Sequence, residues 1–212
     1  QIGDRILFVQ NGGNRVRELG FSFESDRYQA RDITIMCDNV GRSAQGNLLF
    51  STYQQNPDST AFFVRGDGAL VGLTYERAEN VFAFHEHFIG KHDPDNVDVT
   101  AKVLSVASVR EGDNNSVYMV VKRDGLFTIE RLSQIFQFED DHKDARFLDG
   151  YTVINNTTAT TAISSQTRFA NQTISALVDG ATISSVTFDS SGNATLPFAG
   201  STVVLGYKYT SR

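Results

Sequence analysis

Apolar segments flanking short glycine-containing turns predict β-hairpins along the first part of the chain. Asp-Gly between two apolar, β-branched segments is among the strongest local hairpin signals, because both turn positions then take positive φ. The three pairs of segments are residues 6–9 and 15–19 around Asn11-Gly12-Gly13, residues 61–65 and 70–75 around Gly66-Asp67-Gly68, and residues 117–121 and 126–130 around Asp124-Gly125. The pattern therefore predicts three hairpins.

The middle hairpin extends into a longer repeating unit. An apolar segment at 48–53 precedes it across a Pro57-containing loop at 54–59, and residues 81–87 follow it. Four strands in about 40 residues are typical of a propeller blade. A further unit begins at 103–109 and continues through Asp124-Gly125 without an evident fourth strand. Because propellers need about four to eight blades, the pattern predicts a partial array within a longer protein, with a scaffold or binding role.

The composition changes after an acidic segment. Residues 139–144 carry a run of charges, which we interpret as a solvated connector over 139–150, with a metal site as the alternative. Residues 151–212 are rich in Thr, Ser, Ala, Val and Asn. Strand patterns at 151–154, 173–178, 182–188, 194–196 and 202–207, with turns at Asp179-Gly180 and 191–193, predict a second β-domain.

The predicted fold class is therefore all-β. Residues 1–138 are expected to form propeller-like blades of antiparallel strands, and residues 151–212 a small β-sandwich or barrel-like domain. The 40% hydrophobic content suffices for a core, and 17 Gly with only 3 Pro suit a turn-rich sheet protein. The region from residue 151 onward is poor in charge, so open strand edges there are expected to support self-association.

Composition also limits the function classes. A net charge of -6 argues against a general nucleic-acid binder, although a basic pore lining could be hidden in that average. The single Cys37 cannot form an internal disulfide and is expected to be a buried, inert thiol in a protein that folds under reducing conditions. No apolar segment reaches the length of a membrane span, and no leader is evident. Because the chain starts at Gln1, we expect the natural N-terminus to have been removed.

Several motifs resemble binding sites. Arg65-Gly66-Asp67 is a cell-adhesion tripeptide, but it overlaps a predicted turn. His85 and His87 share one strand face and could begin a zinc site with His92, Asp93 and Asp95, although paired surface histidines are the commoner outcome. Asp93, Asp95 and Asp98 could supply calcium oxygens, but their loop lacks the glycine and terminal glutamate of a helical calcium loop. We predict no metal and no cofactor.

Catalytic patterns are weak. A glycosidase needs two carboxylates at a fixed separation in a cleft, and the sequence contains neither a phosphate-binding glycine loop nor a nucleophile elbow. The candidate carboxylates are Asp67, Glu76, Glu79 and Asp124. Asn155, Asn156, Asn171 and Asn193 fit the glycosylation triplet, which is expected by chance in a Thr-rich segment. The sequence therefore predicts no catalytic residues and no enzymatic activity.

The order of several motifs resembles the tail nozzle, or tail tubular, proteins of short-tailed bacteriophages. The similar segments span most of the chain: 3–9, 15–19, 32–34, 64–75, 106–109, 129–132, 173–180 and 203–209. One difference is the closing strand of the blade, where Phe84-His85-Glu86-His87 replaces a pattern usually built on Trp, and this chain has no Trp.

The resemblance implies a structural component of the virion. Such a protein would form part of the DNA-ejection conduit as a homo-oligomeric ring, touch DNA transiently, and contact adaptor and tail-fibre proteins. It would be made in the cytoplasm of the bacterial host and reside in the phage tail. The alternative is a carbohydrate-binding or carbohydrate-cleaving module of a tail, which would be expected to expose aromatic platforms.

Overall fold

The computed structural model describes residues 1–41, 46–93, 101–133 and 136–208, and nearly all regular structure in them is β-strand. The predicted all-β class is confirmed, in four antiparallel sheets. The chain divides into two compact units, with one boundary between Leu132 and Ser133. No helix in the described part of the chain is long and apolar enough to cross a bilayer.

Three antiparallel sheets follow one another along the first unit, each a simple meander. The first sheet contains β1 (Ile6–Val9), β2 (Val16–Ser22) and β3 (Arg27–Asp32). The second contains β4 (Leu48–Gln54), β5 (Thr60–Arg65), β6 (Leu70–Glu76) and β7 (Val81–His87). The third contains β8 (Ala101–Glu111), β9 (Asn114–Arg123) and β10 (Leu126–Arg131). The three predicted hairpins and the predicted four-stranded unit are confirmed.

The two Asp-Gly turns of the first unit differ in geometry. Asp124 and Gly125 both have positive φ, 48° and 82°, as a two-residue hairpin turn requires. In the other turn only Gly68 does, at 95°, so the expectation of positive φ at Asp67 is wrong. The reason is loop length: Arg65 and Ala69 close a three-residue turn, in which only the final glycine adopts the left-handed conformation.

The second sheet is buried on both faces. Ala61, Phe63 and Leu73 pack with the first sheet, in the same core as Val16. Residues on the opposite face pack with the third sheet: Phe62, Val64 and Leu70 against Ala101, Val103, Val117, Met119 and Val121. Burial on both sides explains why residues 61–64 are continuously apolar instead of alternating with polar residues.

The second unit contains one four-stranded sheet, in the order β11-β14-β12-β13. Its strands are β11 (Asp149–Ile163), β12 (Thr173–Val178), β13 (Ala181–Thr187) and β14 (Ala194–Tyr207), with short 3-10 helices at His142–Asp144 and Thr167–Phe169. The segments predicted separately at 194–196 and 202–207 are one long strand, and β11 is far longer than predicted.

A sandwich would need a second sheet, and none is seen among the described residues of the second unit. Instead, β11 and β14 change register between Asn155 and Thr160, which allows a sheet to bend. Ile163 and Leu196, beyond that change, share a core with Val203. Both ends of the long hairpin therefore cover one core.

Candidate docking surfaces

In the first unit, the turns of the first two sheets each accept a backbone hydrogen bond from the first strand of the next sheet. The carbonyl of Gly13, in the first turn, accepts from the Leu48 N–H at 2.8 Å, and the carbonyl of Gly68 accepts from the Val103 N–H at 2.9 Å. The same number of residues separates acceptor and donor in both cases. Each donor directly precedes a register shift in the first strand of the next sheet. The two junctions between sheets are therefore repeats of one another.

Glycine is required at these turns by close approach as well as by φ. A Cβ on Gly13 would lie 2.2 Å from the Cβ of Asn47, and one on Gly68 would lie 2.6 Å from the Cβ of Lys102. The counterpart in the third sheet, Gly125, has no atom within 4 Å of its Cβ position. The third turn is therefore open where the first two are covered by the next sheet.

A buried arginine forms a second repeated junction. The Arg65 side chain is 0% exposed, and its guanidinium donates to Asp67 at 2.9–3.1 Å, to Glu86, and to the Asn39 carbonyl at 3.1 Å. Burial alone would lower the pKa of Arg65, but the hydrogen bonds and charges of Asp67 and Glu86 raise it. Arg65 thus holds its own turn and the loop that follows the first sheet.

Arg123 has the same place in the third sheet. Its Nε donates to the Gly90 carbonyl at 3.1 Å, in the loop that follows the second sheet, and its guanidinium pairs with Glu130. Sequence reasoning missed this role for both arginines. The available signal was an arginine at the end of the strand before each Asp-Gly-containing turn.

Aromatic pairs mark equivalent positions on the first two sheets. Tyr75 and Phe82 are directly opposite each other, with ring centroids 5.4 Å apart, and Tyr75 is buried between the sheets. Phe21 and Tyr28 form the same kind of pair, also at 5.4 Å, on the outward face of the first sheet. Here Tyr28 is 72% exposed. The first sheet thus presents to solvent the aromatic pair that the second sheet buries.

The two outward faces of this unit are both apolar. The rear face, on the first sheet, is formed by Ile6, Leu19, Phe21, Tyr28 and Ala30, which are cross-strand neighbours. The front face, on the third sheet, is formed by Tyr118, Val120, Phe127 and Ile129. Phe127 and Ile129 are 64% and 77% exposed, whereas the hydrophobic core residues are at most 9% exposed. Exposed apolar faces of this kind mark interaction surfaces.

The Arg65-Gly66-Asp67 motif is not presented to a receptor. Its guanidinium is buried, and its carboxylate is bound by that same guanidinium. The adhesion interpretation therefore loses its physical basis, because both charged groups are engaged within one hairpin.

The histidines form a pair rather than a cluster of ligands. His85 Nδ1 lies 2.7 Å from His87 Nε2, as expected for neighbours on one strand face. His92 instead hydrogen-bonds the Ala101 carbonyl and stacks on Phe88. Burial lowers the pKa of His85, and burial together with the neighbouring His85 lowers that of His87 to about 4.

No group of three or more His, Cys, Asp or Glu side chains is placed to hold a metal within the described ranges. Asp95 and Asp98, proposed as zinc or calcium ligands, lie outside the described residues, and Asp93 is exposed. In the acidic segment, the Asp141 carboxylate accepts from the Lys143 N–H and caps a 3-10 helix, which lowers the pKa of Asp141. Its neighbours at 139–144 are exposed.

The candidate carboxylates are distributed over separate turns. Asp67 binds Arg65, and Asp124 pairs with Lys91 at the third turn. Glu76 and Glu79 lie exposed at the turn between β6 and β7. Asp67 is thus bound to a cation of its own hairpin, and Asp124 to a lysine in the loop that follows the second sheet.

The remaining candidates from the sequence are Cys37 and the four asparagines of the glycosylation triplets. Cys37 is half-buried against the core between the first two sheets, so its predicted burial is only partial. Among the glycosylation triplets, Asn155, Asn171 and Asn193 are exposed, and Asn156 is half-buried.

The sequence matches no protein-family model and no curated protein. The function must therefore be inferred from the repeated junctions between the sheets and from the two apolar faces that these junctions leave uncovered.

Proposed function

We propose that this protein is a structural component of a bacteriophage tail, where its sheets form part of the nozzle or tail tube through which DNA is ejected. The observation that carries this proposal is the repetition of both junctions, the turn-to-strand hydrogen bond and the buried arginine. Repeated head-to-tail packing of similar sheets is the building principle of propellers and related arrays. Such arrays serve as rigid scaffolds that present loops and faces to neighbours.

The strand contacts support a propeller-like arrangement of these sheets. The third sheet packs on the second mainly through β8 against β4 and β5. The first strands of these two sheets therefore lie closest together, as they do where blades converge on an axis. Sheets that splay from such an axis leave a channel at the centre, which a DNA conduit requires.

The proposed partners are those of a tail component. Adaptor and tail-fibre proteins would contact the loops, and DNA would pass transiently. In the second unit, the edge strands β11 and β13 are available for pairing with other copies around a ring. The protein would be made in the host cytoplasm and then incorporated into the virion.

A carbohydrate-binding role in a tail is the second candidate. One observation favours it: the β2–β3 hairpin exposes Phe23 (91%) and Tyr28 (72%), which both contact Phe21 in edge-to-face geometry. Exposed aromatic rings are the side chains that stack on sugars. A glycan reader built on this tip would lose binding in Phe23→Ala and Tyr28→Ala variants.

Immunogold labelling tests the proposal directly. Antibodies raised against this chain should label purified particles of the tailed phage that encodes it, and the label should lie on the tail. Absence of label from intact and detergent-opened particles would refute the structural role. In parallel, the chain is incubated with host surface glycans: release of reducing ends, or retention on glycans that depends on Phe23 and Tyr28, would favour the carbohydrate role.

A further inference from the structure

We propose that the rear face of one copy docks on the front face of a second copy, so that the chain associates head to tail in the way its own sheets pack. This inference rests on the proposed scaffold function, for which it names a partner and the two surfaces involved. The rear face comprises Ile6, Leu19, Phe21, Tyr28 and Ala30, and the front face Tyr118, Val120, Phe127 and Ile129.

The first argument is that the outward faces are counterparts of faces already buried. Arg15, Ala69 and Leu126 are equivalent, because each is the first residue after the turn and lies opposite the residue that closes it. Phe127 on the front face lies one residue after Leu126, just as Leu70 lies one residue after Ala69. Leu70 is buried because it packs against the third sheet. On the rear face, Phe21 and Leu19 lie at the same distances along the chain from Arg15 as the buried Tyr75 and Leu73 do from Ala69. A copy that joins rear to front would therefore continue the packing of the three sheets.

The second argument is a matched exchange of polar for apolar residues. Inside the chain, the Tyr75 hydroxyl donates to Glu18 at 2.9 Å across the junction of the first two sheets. On the rear face, Phe21 occupies the position that corresponds to Tyr75. On the front face, Ile129 occupies the position that corresponds to Glu18. The hydroxyl and its carboxylate acceptor are therefore absent together. At this position the contact between copies would be apolar, so it would bury neither an unpaired hydroxyl nor an unpaired carboxylate.

The third argument concerns the charges around the front face. Lys122 lies over the Phe127 ring at 5.6 Å, and Arg131 pairs with Glu111 at 3.2 Å. Arg131 and Glu111 are 57% and 38% exposed, so they can stay in contact with water at the rim of a docked face. An apolar centre with a polar rim is the usual composition of a protein interface.

The predicted contact uses two different surfaces, so it is heterologous. Contacts of this kind produce closed rings when the rotation between copies closes, and open filaments when it does not.

Sedimentation velocity across a concentration series tests the proposal on the whole 212-residue chain. The wild type should associate with increasing concentration. Ile129→Asp on the front face and Tyr28→Asp on the rear face should each weaken association at least about tenfold, because a carboxylate would be buried against apolar groups. Phe138→Asp is the matched control, since Phe138 is 99% exposed but belongs to neither face.

Mixing the two variants gives the decisive result. Each retains one intact face, so an equimolar mixture of Ile129→Asp and Tyr28→Asp should form a pair that neither forms alone. A wild type that remains monomeric at its highest soluble concentration overturns the proposal. Association that only one of the two variants abolishes also overturns it, since the contact would then be symmetric.

A cross-link covers the case in which an aspartate variant fails to fold. In a Cys37→Ser background, Phe21→Cys combined with Ile129→Cys should form disulfide-linked dimers and larger species on mild oxidation. A chain that remains monomeric under oxidation contradicts the docking. These failures would leave immunogold labelling of the tail unaffected, so the inference and the proposed function can fail separately.

Discussion

Replacing Arg65 with alanine should strongly destabilise the first unit. The guanidinium is fully buried, and it is shared between Asp67, Glu86 and the Asn39 carbonyl. Removing one partner of a buried ion pair typically costs about 3 to 5 kcal/mol, because the remaining charge is left uncompensated. The two carboxylates are 14% and 22% exposed. Water can therefore reach them in part, and we expect about 3 kcal/mol.

Urea unfolding followed by circular dichroism measures this loss. With a urea dependence of about 1 to 3 kcal/mol per molar, a loss of about 3 kcal/mol should lower the midpoint by about 1 M or more. The transition of the second unit should not move, which provides an internal reference. Arg131→Ala is the matched control, because Arg131 pairs with Glu111 at the surface and is 57% exposed. Its midpoint should stay close to that of the wild type.

A triple variant separates lost charge pairing from lost packing. Arg65→Met with Asp67→Asn and Glu86→Gln removes all three charges and keeps similar volumes. It should recover part of the stability that Arg65→Ala loses, since replacing a buried ion-pair group by neutral residues is often well tolerated. An Arg65→Ala midpoint equal to that of the wild type would show that the buried guanidinium does not hold the turn and the loop together.

Three further predictions concern turns and titrating groups. Gly68→Ala should cost about 1 to 3 kcal/mol and more than Gly125→Ala, because only Gly68 also approaches Lys102; equal urea midpoints for the two variants would contradict this. The lowered pKa of His87 means that below the ordinary histidine value the unfolded chain binds more protons than the folded one, so stability should fall from pH 7 to pH 5. His87→Phe should reduce that fall in melting temperature, and an unchanged pH profile would exclude His87 as its source. Asp179 accepts from the Ser201 and Thr202 N–H groups, which lowers its pKa, so its contribution should be present above the ordinary aspartate value and disappear on acidification. Asp179→Ala should lower the melting temperature of the second unit at pH 7 but not at pH 2.

Features set by neighbouring residues could be predicted from the sequence. The hairpins around Gly68 and Gly125 follow from turn chemistry within a few residues, and β5 follows from its continuous apolar segment. The strand β3 was not predicted, because Tyr28 and Ala30 are the only apolar residues in Arg27–Asp32, and the segment is a strand through its pairing with β2. Likewise, the full length of β11 depends on its partner β14.

The candidate surfaces were harder to anticipate, because they depend on residues distant along the chain. The role of Arg65 requires the carbonyl of Asn39, and the equivalence of Phe21 with Tyr75 is visible only in the register of two different sheets. For the histidines, spacing predicted a shared face for His85 and His87. It could not show that His92 binds backbone instead.

The burial of the second sheet on both faces constrains how this protein is made. On the ribosome, β4 to β7 leave the exit tunnel before β8 to β10 have been synthesised. During that interval Phe62, Val64 and Leu70 have no partner, because the residues that cover them come later in the chain. The second sheet therefore cannot mature alone, and its apolar strands must wait in a compact, aggregation-prone state for the third. Translation that stalls after β10 has left the exit tunnel would leave this face covered, whereas translation that stalls before β8 has left the tunnel would leave Phe62, Val64 and Leu70 exposed to water.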